Sequence, residues 1–265
     1  MTAAPSHCFV VAAYGRSPHL KACLTSLSQQ KSCSPVTIST STPFEGMEAL
    51  ARDFGAKLSI HGPNRGIGAD WNQALRVADA DLVTIAHQDD LYEPAFAGEV
   101  TAAHTTAPDA VFSFCDSREI AVTDDHHVLT RNTRVRNLLV GASCLGTNRV
   151  AGGLRRRILF GFGNPVICPS VTINRRIAST FRFREDMRTN MDWLAWIELS
   201  RTHPVLRVRK ELLRRRVHPA SETSRCIADG TRQREDKLVF GSLWPRPVAN
   251  LISVAYRLSY PGYSK

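Results

Sequence analysis

Residues 81–94 read DLVTIAHQDDLYEP, and this stretch decides the fold. Leu82, Val83, Thr84, Ile85 and Ala86 form a short apolar, partly β-branched run of the kind that makes a buried strand, and it stops at a polar corner, His87-Gln88-Asp89-Asp90. Two adjacent carboxylates at the carboxyl end of such a strand suit the crevice where open α/β sheets bind ligands. They equally suit a solvated turn in which Asp89 or Asp90 caps the next helix. Both readings stand on this stretch alone.

Upstream, strands and helices alternate. Cys8–Ala13 is an apolar run broken by Tyr14-Gly15-Arg16, after which Ser17 and Pro18 supply an N-cap and a first-turn proline. Leu20, Cys23, Leu24 and Leu27 then recur at helical spacing. Val36–Thr40 predicts a second strand, residues 47–54 a short helix, and Lys57–Ile60 a third strand. After the turn-rich loop 61–66, Ile67, Trp71, Ala74, Leu75 and Ala78 form one apolar stripe, with Asn72 beside it near the loop. Residues 81–86 then make a fourth strand. This order predicts an α/β fold with a mixed, mostly parallel sheet flanked by helices.

Downstream, residues 93–104 read as a helix and Ala110–Cys115 as a fifth strand. From Asp124 to Gly163 arginines and glycines dominate, and a mobile or inserted region is expected. Asn164–Asn174 returns to strand-like composition. Thr189 or Asn190 can cap a helix holding Met191–Ile197, which puts Asp192 in its first turn. Val205–Val208 and Leu212-Leu213 flank a basic run that ends at Val217-His218-Pro219. Two C-terminal helical segments follow, at about 222–240 and 247–258, the second with Val248, Leu251, Ile252, Ala255 and Leu258 on one face. The expected layout is a domain over 1–220 and a C-terminal helical extension over 221–265 packed on or beside it.

The 265 residues are 43% apolar and 22% charged, a globular composition. No run approaches the roughly 18 apolar residues of a membrane span, and the first residues lack the basic flank of a signal peptide, so a cytoplasmic location is expected. Seven scattered cysteines, with no metal-ligand spacing, read as reduced thiols. The formal net charge of +10 favours anionic partners: nucleotides, phosphorylated lipids, a membrane surface or nucleic acid. No aromatic-basic platform accompanies the arginines, so nucleic acid ranks last. The excess lies in Arg131–Arg157 and Arg207–Arg216, which also read as solvated faces. These zones and the apolar C-terminal stripe suggest peripheral contact with the inner face of a membrane.

Asp89 and Asp90 are hard oxygen donors that suit Mg²⁺ or Mn²⁺, the remaining ligands coming from substrate phosphates. His87 reads as a turn residue, since imidazole favours softer metals. Asp192 is either a dipole-stabilising helix residue or an ionised carboxylate that takes a proton from an attacking hydroxyl. Arg214, Arg215, Arg216 and His218 offer cationic groups to a diphosphate or form a solvated edge. Residues 63–68, PNRGIG, lead into a helix N-terminus, a generic anion site without the spacing of a dinucleotide fingerprint.

Six segments in order, FVVAAYGR (9–16), NRGIGADWNQAL (64–75), AHQDDLYEP (86–94), NPVICPSVTINR (164–175), MDWLAWIEL (191–199) and RRVHPASET (215–223), resemble the family 2 glycosyltransferases. These are inverting nucleotide-sugar enzymes with the Rossmann-like glycosyltransferase A-type fold. The resemblance implies that Asp89 binds the catalytic Mn²⁺ or Mg²⁺, with Asp90 as support or second contact, and that Asp192 is the general base. It places Ala12, Ala13, Tyr14, Asn64, Gly66 and Asn72 at the nucleotide pocket, with Gln88 at the ribose-contacting position. Arg216 and His218 fall in a loop near the donor diphosphate, and Pro169-Ser170-Val171 under the acceptor. The implied reaction moves a sugar from a nucleoside-diphosphate donor to a hydroxyl of a glycan or lipid-linked acceptor. The chain departs from the pattern at Ser39–Thr42, where many members carry a base-contacting acid, at Gln88, often an acid, and at Met191, which replaces the first acid of a doublet. The alternative implied by these departures is a catalytically inactive nucleotide-sugar-binding partner subunit of the same fold.

Overall fold

A computed structural model of the chain describes residues 4–120, 131–217 and 222–263. Its first half is a run of parallel strands joined by helices: β1 (His7–Ala13), α1 (Leu20–Ser28), β2 (Val36–Thr40), α2 (Met47–Asp53), β3 (Lys57–Ile60), α3 (Ile67–Val77) and β4 (Leu82–His87). Side chains alternate across β1, so Phe9 and Val11 pack with Leu20, Leu24, Ile38 and Phe96 on one face. Cys8 and Val10 pack with Trp71, Leu75, Val83 and Ile85 on the other. A strand buried on both faces reads as a continuous apolar run, which is why the alternating polar pattern is missing.

The second half is β5 (Leu91–Tyr92), α4 (Phe96–Thr106), β6 (Phe112–Ile120), α5 (Arg131–Ser143), β7 (Arg149–Val150), α6 (Gly153–Phe160), β8 (Val171–Asn174), α7 (Met191–Leu199), β9 (Val205–Arg216), α8 (Glu222–Ala228), α9 (Thr231–Leu243) and α10 (Arg246–Tyr256). The sheet order is β3-β2-β1-β4-β8-β6-β9-β5, with β7 also on β9. β1 pairs in parallel with β2 and β4, and β6 with β9, while β8 runs antiparallel between β4 and β6. In the β1–β4 register Ala12 sits opposite His87, so the loops leaving both carboxyl ends emerge side by side. That pair of loops builds the site.

Several boundaries differ from expectation. Helix α4 begins at Phe96 because Leu91 and Tyr92 pair with Arg214 and Leu213, and the Glu93 N–H donates to the Leu212 carbonyl at 2.9 Å. Strand β6 runs on to Ile120 along β9, through register shifts on either side of Asp116. The expected mobile stretch forms α5, β7 and α6 from residue 131 onward, while 121–130 lie outside the described residues. Only Val171–Asn174 of the predicted 164–174 strand pairs in the sheet; Pro169 lies in a 3-10 turn over Cys168–Ser170. The long C-terminal helix is cut in two at Gly230, whose φ of 76° lies in the left-handed region that glycine tolerates. Ser17 does not cap α1, which starts at Leu20; its Oγ accepts the His19 N–H at 3.2 Å. Among the described residues no helix is long and apolar enough to cross a membrane.

Candidate active site

The carboxyl ends of β1 and β4 open onto a cavity of about 1350 Å³. Asp89 lies two residues past the end of β4 and lines it. The Ser17 hydroxyl donates to Asp89 Oδ1 at 2.7 Å, so the β1–α1 loop fixes the carboxylate's orientation. Asp90 borders the same cavity but is largely buried. It is 3% exposed, and its Oδ1 accepts the Arg216 backbone N–H at 2.9 Å. Burial pushes the Asp90 carboxyl up to about 7, against the pull of that N–H and of Arg215. Arg216 Nε in turn donates to the Asp89 carbonyl at 3.2 Å, tying β9 to the acidic corner. The two neighbouring aspartates therefore differ in kind: Asp89 is held by the Ser17 hydroxyl, while Asp90 is buried at the cavity's edge and braces the end of β9.

Gln88 and Tyr14 clasp one another. The Tyr14 N–H donates to Gln88 Oε1 and Gln88 Nε2 donates to the Tyr14 carbonyl, each at 3.0 Å. Where an acid would repel the carbonyl, the amide satisfies both backbone groups. His87 is the last residue of β4, not a turn residue. It lies 5.3 Å from the Trp71 ring, burial drives its pKa down to about 4, and its Nε2 has no hydrogen-bond partner among the described residues.

Asn64 and Gly66 line the cavity beside α3. Gly66 turns the chain into the helix at φ 102°, and a Cβ on Gly68 in the first turn of α3 would collide with the Arg184 carbonyl, so both positions need glycine. Asn64 Nδ2 donates to Ser41 Oγ at 2.7 Å and Asp70 Oδ2 at 3.2 Å, and Ser41 also donates to Asp70 at 3.0 Å. Burial raises the Asp70 pKa. Asp70 was not singled out from sequence; it brings from α3 a carboxylate to the end of β2, where Ser39–Thr42 carry none.

Asn72 does not line the cavity. It is 5% exposed. Its Nδ2 donates to the Phe183 carbonyl and Glu185 Oε1, both at 3.0 Å, and its Oδ1 accepts the Phe183 N–H at 2.8 Å. Both N–H donors of the amide are used in clamping residues 183–185 to α3.

The cavity is also lined by Asp192, in the first turn of α7. Its Oδ1 accepts the Trp193 N–H at 2.7 Å and its Oδ2 the Asn164 side-chain N–H at 3.1 Å. Burial lifts its pKa to about 6, while the Trp193 N–H, Arg232, Asn164 and Arg215 hold it from rising further. Arg232 reaches the cavity from α9, forming an ion pair with Asp236 at 3.2 Å and donating to Thr189 Oγ1 at 2.9 Å. Arg215 and Arg216 also line the cavity, whereas Arg214 pairs with Glu93 at 2.9 Å outside it. His218 lies outside the described residues.

Ala12, Ala13, Tyr14, Asn64, Gly66, Gln88, Asp89, Asp90, Asp192 and Arg216 thus meet in one cavity. Ser17, Asp70, Asn164 and Arg232 were missed as site residues. Asn164 was at least inside a matched segment, but nothing local marks Arg232. Among the described residues no three His, Cys, Asp or Glu side chains form a metal-holding cluster.

A mixed, mostly parallel α/β sheet flanked by helices, with the site at the carboxyl ends of its first strands, is the glycosyltransferase A-type fold. The chain belongs to glycosyl transferase family 2, whose model matches residues 8–179, and it is accordingly a glycosyltransferase. No curated protein sequence matches it. Among solved structures, S. aureus TarS 1-349 in complex with UDP-GlcNAc is similar at TM-score 0.68 and 12% identity, over 98% of this chain and 73% of that one. The chain spans 43% of the longer TarS. The mannosyltransferase PcManGT from Pyrobaculum calidifontis, in complex with GDP-Man and Mn²⁺, gives 0.67 and 16% over 96% and 70%. Glucosyl-3-phosphoglycerate synthase from Mycobacterium tuberculosis, with Mn²⁺, UDP-glucose and phosphoglyceric acid, gives 0.59 and 14% over 89% and 79%.

Proposed function

We propose that the protein is an inverting transferase that moves a sugar from a nucleoside-diphosphate donor to a hydroxyl of a glycan or lipid-linked acceptor. The observation that carries this reading is that Asp89 and Asp192 line one cavity, with Asp192 raised to a pKa of about 6. A base poised just below neutral pH is ionised in the cell and still has useful proton affinity. Asp192 accepts the acceptor's hydroxyl proton as the oxygen attacks the anomeric carbon and the carbon–oxygen bond to the diphosphate breaks, in a single in-line displacement. Asn164 and the Trp193 N–H hold the carboxylate in place for that transfer. Arg215 and Arg216 offer positive charge to the departing diphosphate.

Asp89, Mn²⁺ or Mg²⁺ and the donor phosphates form a chemically consistent set. A single oriented carboxylate with hard oxygens is what a magnesium-type site asks of the protein when phosphates complete the shell. Such an ion, when bound, offsets charge on the leaving group. The Mn²⁺ in the two neighbours named above supports this choice. The buried Asp90 serves the loop and not the ion. UDP-GlcNAc and GDP-Man in the neighbours support a nucleotide-sugar donor, and the Ser41–Asn64–Asp70 group supplies polar contacts beside the β1 loop for the nucleoside.

Thermal shift against nucleoside diphosphates and nucleotide sugars, with and without Mn²⁺, identifies the donor. Asp192→Asn is then expected to keep the donor-induced shift and lose transfer by ~10²–10⁴-fold. Wild-type turnover by that variant removes Asp192 from the role.

A further inference from the structure

Residues 131–160 contain seven arginines and residues 237–265 two arginines and two lysines, and neither segment contains a single Asp or Glu. The fold brings these two acid-free segments together. Asn132 Nδ2 on α5 donates to the Ser259 carbonyl just beyond α10 at 2.9 Å. The Arg157 guanidinium of α6 stacks over Trp244 at 5.1 Å, and Trp244 Nε1 donates to the Gly161 carbonyl at 2.7 Å. Leu138 on α5, Leu251 on α10 and Leu258 just beyond it are 70–72% exposed, and Val135, Val248 and Val254 are exposed beside them. On α10 these positions form an arc opposite the buried Ala249 and Ser253.

Arg134, Arg246 and Arg257 are exposed on the same helices, or one residue past them, and make no hydrogen bond or ion pair among the described residues. Several arginines elsewhere are paired with acids, as Arg149 with Asp109 and Arg176 with Asp81. Val135, Leu139, Ile252, Ala255 and Leu258 also line the cavity, so this apolar and basic face forms the lip of the active site.

We propose that the α5–α10 lip docks on an anionic lipid bilayer. Leucine and valine side chains enter the headgroup boundary while the arginines bind lipid phosphates. A second copy of the chain fits poorly, because an isologous contact would set unpaired arginines against arginines. The face places the cavity mouth at the membrane surface, where an acceptor on a lipid carrier can enter from the bilayer. That last step rests on the function proposed above; membrane binding itself does not.

Flotation of the full chain with vesicles of phosphatidylcholine, alone and mixed with phosphatidylglycerol, tests the proposal. The protein is expected to float with the anionic vesicles only, and less so at high salt. Leu251→Asp with Val254→Asp should weaken partitioning about tenfold or more. Arg134→Gln, Arg246→Gln and Arg257→Gln together should weaken it roughly a hundredfold. Both variants should melt as the wild type does and keep the donor-induced thermal shift. Absence of flotation, variants that float as well as the wild type, or a dimer in solution that Leu251→Asp dissociates would each overturn the proposal. A wild-type chain that floats and shows no donor shift instead refutes the functional reading and leaves the docking face standing.

Discussion

Replacing Asn164 by Ala should move the acidic limb of the transfer reaction without moving its plateau. Asn164 Nδ2 donates to Asp192 Oδ2 at 3.1 Å, and Asp192 carries a pKa of about 6. A hydrogen bond to an ionised carboxylate contributes about 1.5–3 kcal/mol to the charged form. Asn164 is half-buried, so water replaces part of that contribution and the lower end applies. At about 1.4 kcal/mol per pH unit, the limb should rise by roughly one unit, to about 7. The proposed base must be ionised to take a proton, so activity is expected to climb as pH rises through this value. The variant should then run about threefold slower than wild type at a pH of ~6.5 and match it near pH ~9. Initial rates of sugar transfer across that range, with donor saturating, give the limb directly. A limb that stays put while Asp192→Asn remains inactive would refute the assignment of the limb to Asp192. A uniform loss at all pH values would mean that Asn164 positions substrate instead.

Asp89→Asn removes the hard donor at the cavity wall and should weaken donor binding in Mn²⁺ by at least about tenfold, read by calorimetry; undiminished transfer in the presence of a chelator would contradict the metal assignment. Asp90→Asn should spare activity, since an amide oxygen still accepts the Arg216 N–H. Because folding raises the Asp90 pKa to about 7, the native state holds a proton that the unfolded chain releases near pH 4, and stability falls as pH rises between those values. The variant should therefore lose less melting temperature than wild type between about pH 5 and pH 8, and an equal loss would remove Asp90 as the source. Asn72→Ala leaves the Phe183 N–H and carbonyl and Glu185 without their partner and should cost about 2–4 kcal/mol in denaturant unfolding. Donor affinity should stay at the wild-type value below the transition, and a selective loss of affinity would restore Asn72 to the nucleotide pocket.

The parallel half of the sheet was legible because its order is local. Val36–Thr40 and Lys57–Ile60 match the observed strands residue for residue, each a short segment with alternating apolar and polar residues bounded by turn formers. What escaped depends on partners far along the chain. β5 is two residues long and exists because Arg214 and Leu213 lie beside it. Asn72 has helical spacing toward the 61–66 loop, but its partners are more than 110 residues away. Asp89 and Asp90 are adjacent in sequence, and only the packing of β9 against the corner buries Asp90 at the cavity's edge and leaves Asp89 to the Ser17 hydroxyl. Helices α5 and α6 were hidden by their arginines. Arg136 turns inward to Glu119, and Arg155 and Arg156 to backbone carbonyls, so charged positions occupy what periodicity reads as an outer face.

The C-terminal helices bear on the same point from the other direction. Asp236 on α9 is fully buried and accepts hydrogen bonds from Asn190 Nδ2 at 2.7 Å and the Tyr260 hydroxyl at 2.5 Å. Glu235 beside it accepts the N–H groups of Arg188, Thr189 and Asn190, at 2.7, 3.0 and 2.8 Å. Two carboxylates from α9 thus take up the backbone and side-chain donors just ahead of α7, the helix whose first turn carries Asp192. Phe240 and Tyr256 close on Trp193 at 5.0 and 5.8 Å and hold the other side of that turn. A carboxylate with a pKa near 6 in a half-buried wall stays useful only if its distance to Arg232 and Asn164 is fixed, because each contributes to the balance between the charged and neutral forms. The helices beyond residue 221, which the family match to residues 8–179 does not reach, therefore fix the position and proton affinity of the proposed base.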